Sequence, residues 1–179
     1  MAVLFRIIGL PILLGFFFIA AYLFFYLGVW KSVDVTQTEE PPMHLLYVTH
    51  VGPYHKISER IEVVETWARS NQVSCSNSFG EYLDDPEVVD EDRLRSHAGC
   101  VVDRPLQAPE GFEFRTEPSQ TYIRAEYSGS PAIGPWKVYP RLKEYAQTHR
   151  LRRATRVFEV YTLLDGGRMS TLYLWPLEN

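Results

Sequence analysis

One acidic residue stands where its surroundings give it no reason to be. Glu159 lies in the run Val157-Phe158-Glu159-Val160-Tyr161, which reads as a strand. Alternation places it on the face of Val157, Tyr161 and Leu163, a side with no polar row to receive it. An ionised carboxylate among apolar neighbours costs several kcal/mol unless it is paired or hydrogen-bonded. A salt bridge from Arg124, Arg156 or Lys137 would satisfy it, as would an edge position open to water. The chemical alternative is a counter-charge. A buried carboxylate ringed by aromatics suits an organic cation, through Coulomb attraction and cation–π contact, and the same carboxyl with a raised pKa would serve as a general base. Tyr161, Tyr82, Trp136, Phe79, Tyr139 and Trp67 are the candidate walls of such a site, with Phe158, Tyr173 and Trp175 as further aromatics. About a third of these aromatics are expected to line a groove, the rest being core.

Other chemistry is poorly provided for. Asp84-Asp85-Pro86-Glu87 with Asp90-Glu91-Asp92 lacks the spacing of a calcium loop and reads as a solvated turn. The histidines show no ligand spacing, and there is no nucleophile elbow, phosphate loop or dinucleotide fingerprint, so no cofactor and no metal are expected. Cys75 and Cys100 make neither a disulfide framework nor a zinc site. A net charge of −4 argues against a phosphate-tracking nucleic-acid binder, which needs a basic face.

The elements that must position Glu159 come as a repeat. One copy runs from the strand-like His44–His50 through Gly52-Pro53-Tyr54 to a helical pattern with Ile57, Ile61, Val64 and Ala68 on one face. The other runs from Thr121–Tyr127 through Gly134-Pro135-Trp136 to Val138, Leu142, Tyr145 and His149. In both, proline sets φ at a strand-to-helix corner; Pro140 fits only inside a first helical turn. Two strands follow each helix: Ser78–Leu83 and Ser96–Val102, then Arg156–Leu164 and Ser170–Leu177. The fold class is therefore α+β, a duplicated βαββ domain with a curved, mainly antiparallel sheet, two helices and a groove along an approximate two-fold axis. Repeat one covers 43–103 and repeat two 113–179. Laying Gly80-Glu81-Tyr82 on Glu159-Val160-Tyr161 matches tyrosine with tyrosine and leaves Glu159 opposite a glycine.

Residues 1–30 read as a transmembrane anchor and 31–42 as a polar, Pro-rich linker ahead of the domain at 43–179. From Ile7 to Trp30 no side chain is charged, and this length spans roughly 36 Å as a helix. Comparison of Arg6 with Lys31 places the amino terminus in the cytoplasm and the domain outside, in the periplasm of a bacterium's inner membrane.

His50-Val51-Gly52-Pro53-Tyr54, Tyr82-Leu83-Asp84-Asp85-Pro86 with Leu94-Arg95, the second Gly134-Pro135-Trp136, and Phe158-Glu159-Val160-Tyr161 with Trp175-Pro176-Leu177 together resemble the GyrI-like (gyrase-inhibitor-like) effector-binding family. The anchor, spacer and Pro41-Pro42 resemble a membrane-anchored branch of it. The resemblance implies a ligand groove between the halves, with Glu159 facing cationic, aromatic ligands and Tyr161 and Tyr82 beside it. The expected function is a membrane-tethered module holding a small amphipathic or cationic molecule, its partners that molecule and a lipid bilayer, with no nucleic acid. Two alternatives stand beside it: a hydrolase of reactive electrophiles using Glu159, and a protein-interaction adaptor.

Overall fold

The computed structural model describes residues 9–178. These form three α-helices, α1 (Leu10–Tyr26), α2 (Ile57–Ser70) and α3 (Gly134–Thr148), and eight strands. The strands are β1 (Asp34–Glu40), β2 (Met43–Val51), β3 (Cys75–Tyr82), β4 (Arg95–Val102), β5 (Glu113–Glu117), β6 (Gln120–Tyr127), β7 (Val157–Leu163) and β8 (Met169–Pro176). They make one antiparallel sheet in the order β1-β6-β8-β7-β3-β4-β2-β5. Strands β2, β3 and β4 come from the first repeat and β6, β7 and β8 from the second, so the halves meet where β3 pairs with β7.

Short links force this sheet to curl. Pro41 and Pro42 alone join β1, at one end of the strand order, to β2, near the other end. Two residues reach only about 7–10 Å, so the ends must approach each other. Inside the curl lie Leu45, Tyr47, Phe79, Tyr122, Phe158, Val160 and Leu174. On the outer face α2 covers Leu46, Cys100 and Val102 with Val64 and Ala68. There α3 covers Ile123, Ala125, Val157 and Tyr173 with Val138, Leu142 and Ala146.

Several expectations need correction. Among the described residues no helix is long and apolar enough to cross a membrane, so the single-pass anchor and the localisation built on it are not supported. Helix α1 has 17 residues, a rise of about 26 Å against a hydrocarbon core of about 30 Å. It ends at a turn where Gly28 takes φ +73°, a conformation that suits glycine. Past that point the chain is fastened to the domain: the Tyr127 hydroxyl donates to the Leu27 and Gly28 carbonyls at 3.2 and 2.9 Å, and Lys137 donates to those of Val29 and Lys31. The start of the expected span at Ile7 and the Arg6 side of the orientation argument lie outside the described residues.

The stretch expected to be a spacer is largely strand. Val35, Thr36 and Thr38 favour extended backbone, and Asp34–Glu40 pairs along its length with Gln120–Glu126. Strand β5 was not anticipated either. Pro140 lies well inside α3 rather than in its first turn, where its missing N–H leaves the Trp136 carbonyl without the usual helical donor. Cys75 and Cys100 are joined in a disulfide that staples β3 to β4.

Candidate functional site

The β3–β7 seam sets the geometry. Its register pairs Gly80 with Glu159, Ser78 with Tyr161 and Tyr82 with Val157, so the approximate two-fold passes between a glycine and a glutamate. The Tyr82 and Tyr161 hydroxyls meet at 2.9 Å. Glu159 points to the outer, helix-covered face, shared with Val157, and is 5% exposed. The Tyr139 hydroxyl, carried in by α3, donates to its Oε1 at 2.7 Å, and Tyr161 donates to Oε2 at 3.0 Å. Tyr173, directly opposite Glu159 on β8, packs edge-on against Tyr139. Helix α3 comes this close because residue 134 is glycine: a Cβ there would lie 2.2 Å from the Tyr173 hydroxyl.

Burial raises the Glu159 pKa to about 7, against the opposing effect of the hydrogen bonds from Tyr139 and Tyr161. The three tyrosine hydroxyls are pushed well above 10, by burial first and the neighbouring carboxylate second, and so remain protonated donors. Near neutral pH the centre is a carboxyl balanced between charged and neutral forms inside a cage of fixed donors. Such a group can neutralise a cation or take a proton from water.

No guanidinium or ammonium pairs with Glu159 among the described residues, and each cation that sequence offered as its partner is engaged elsewhere. Arg124 pairs with Glu40 at 3.2 Å and Glu126 at 3.4 Å, and Lys137 binds backbone carbonyls near α1. Arg156 reaches the inner face of the sheet, to Glu81 at 2.9 Å and Glu117 at 2.5 Å. Arg115, on β5, joins it there with a 2.6 Å contact to Glu81, and His97 lies 2.6 Å from the same carboxylate. Burial alone would raise the Glu81 pKa, but His97, Arg115 and Arg156 outweigh it and hold the carboxyl at about 2.

Residues 34–176 match the family described as the GyrI-like small molecule binding domain. The chain belongs to this family. Over 77 residues it is 34% identical to a DNA gyrase inhibitor of Pectobacterium carotovorum subsp. carotovorum (strain PC1), a stretch that makes up 42% of this chain and 50% of that protein. It thus spans about half the length of the curated relative it matches. The structure of EcmrR in complex with DNA superposes with a TM-score of 0.69 at 14% identity, covering 90% of this chain and 63% of EcmrR. SAV2435 bound to tetraphenylphosphonium gives 0.53 at 12% identity, covering 82% of this chain and 94% of that one. At such identities the likeness is one of fold.

Within this GyrI-like domain the six aromatics expected as walls divide evenly. Tyr82, Tyr139 and Tyr161 gather at Glu159. Phe79 is wholly buried on the opposite face with Phe158, Trp67 on α2 packs on Phe112, and Trp136 is 83% exposed. On the axis, where a groove was expected, the hydroxyls of Tyr139 and Tyr161 close on Glu159 and that of Tyr82 meets Tyr161. Open cavities lie to either side, one of about 590 Å³ between Lys31–Val35 and α3, the other of about 390 Å³ between α2 and the seam, with Tyr161 in its wall. Sequence reasoning passed over the Glu81 cluster, because Glu81, Arg115 and Arg156 lie far apart along the chain and only the curl of the sheet brings them together. It also missed Tyr54, whose ring packs 4.7 Å from Tyr82; its place after Gly52-Pro53 was the available signal.

Proposed function

We propose that this GyrI-like domain binds lipophilic, aromatic organic cations, with Glu159 as the counter-ion and Tyr82, Tyr139, Tyr161 and Tyr173 as the walls. One observation carries the reading: a buried carboxylate on the β3–β7 seam is held by tyrosine hydroxyls and, among the described residues, by no positive charge. A cation supplies what the interior lacks, and π faces add attraction where water is excluded. A mere structural carboxylate would gain more from a guanidinium, as Glu81 does on the other face. Family membership and the tetraphenylphosphonium-bound relative SAV2435 support the same ligand class. Occupation requires the tyrosines to part, a local rearrangement of side chains rather than of strands.

Tetraphenylphosphonium serves as the probe. It should raise the melting temperature of the wild-type chain in proportion to the logarithm of its concentration, and Glu159→Gln should abolish the shift while remaining folded. An unchanged shift in the variant removes Glu159 from the binding reaction.

A further inference from the structure

The groove of about 390 Å³ beside the tyrosine cluster is lined by Glu65, Arg69, Val73, Ser78, Tyr161 and Leu163 among others. Tyr161 belongs to both places, its ring in the groove wall and its hydroxyl on the buried Glu159. On the groove side stands a second carboxylate. Glu65, half-buried on α2, accepts a hydrogen bond from the Ser78 hydroxyl and forms no ion pair among the described residues. Arg69, one turn further along the helix, lines the groove without pairing with it. The register fixes how the two carboxylates stand. Ser78, which holds Glu65, pairs with Tyr161, whereas Glu159 pairs with Gly80, two residues or roughly 7 Å along the strand. Two acidic groups thus flank one tyrosine ring, with Val73 and Leu163 giving the outer space apolar walls.

We propose that groove and buried centre are two halves of one elongated site with Tyr161 as the door between them, and that its ligand class is a short-linked organic dication, one head at Glu159 and the other at Glu65. This rests on the cation-binding reading of Glu159 and extends it to a second recognition residue. Rotation of Tyr161 would break its bonds to Glu159 and Tyr82 and clear a way from the groove to the buried carboxylate. A monocation uses the inner half alone. The second head meets a partly solvated carboxylate, which adds about fivefold in affinity.

Calorimetric titration of the full chain at pH 8 with hexamethonium, two trimethylammonium heads on a six-carbon chain, against hexyltrimethylammonium tests this, with tetraphenylphosphonium as reference. The expected result is that hexamethonium binds about fivefold tighter than the monocation, and that Glu65→Gln erases this advantage without weakening the monocation. Equal affinities in the wild type, or equal weakening of both by Glu65→Gln, overturn the proposal. Binding of tetraphenylphosphonium without either alkylammonium overturns the dication site and leaves the Glu159 reading standing. Failure of all three overturns both.

Discussion

Glu81 and Glu159 are nearly neighbours across the β3–β7 seam, yet they sit on opposite faces with opposite electrostatics. Glu81 is ionised and clamped by two arginines; its folded pKa of about 2 lies below the unfolded value. Its contribution to stability is therefore present above about pH 4.5 and is lost as pH falls towards 2. Glu159 has the reverse sign. Its pKa of about 7 lies above the unfolded value of 4.5, so the fold is favoured while the carboxyl is protonated, and that advantage, about 3 kcal/mol, drains away between pH 4.5 and 7. Glu159→Gln keeps the shape and removes the titration. Urea unfolding at pH 5 and pH 8 should show the variant close to wild type at the lower pH and about 3 kcal/mol more stable at the higher one. Stability curves that stay parallel across this range would mean that Glu159 is not held in an uncompensated site.

At the scale of elements, the disulfide and the two edge strands carry what composition does not. Cys75–Cys100 closes a sequence separation of 25 residues between adjacent strands. Loop-closure arguments give it about 3 kcal/mol, so Cys75→Ser with Cys100→Ser, or reduction of the wild type, should lower the denaturation midpoint by a corresponding amount. An unchanged midpoint would mean that the β3–β4 ladder holds that end of the sheet unaided. The alternating strands of both repeats were legible in the sequence, because their apolar faces follow the pleat; β3 and β7 start within three residues of where the pattern places them. The two edges were not. Asp34–Glu40 and Glu113–Glu117 are polar and charged, make sense only once a partner strand is in place, and give no periodic signal alone. The N-terminal helix misled for the opposite reason: its apolar run continues through Gly28 and Trp30, but the backbone turns there and binds back to Tyr127 and Lys137.

Across the whole molecule, duplication explains why one position departs from the pattern of the rest. A perfect two-fold would place identical residues at 80 and 159; the chain places glycine on one side and a carboxylate on the other. Glycine opposite leaves the axis open for Glu159 and the two tyrosines that are related by the symmetry and meet over it. The glutamate itself was legible as an anomaly in an apolar strand, whereas its closure by Tyr139 depends on how α3 docks over Tyr173. On the proposed reading, binding and protonation compete for the same group. If a cation requires the ionised carboxylate, the apparent affinity is the intrinsic one multiplied by the ionised fraction. With a pKa of about 7 that fraction rises from about 3% at pH 5.5 to about 90% at pH 8, so tetraphenylphosphonium should bind about thirtyfold tighter at the higher pH. In Glu159→Gln the affinity should be weak and flat with pH. A wild-type affinity that does not change between these two pH values would separate the binding site from the carboxylate on the axis, whatever the ligand proves to be.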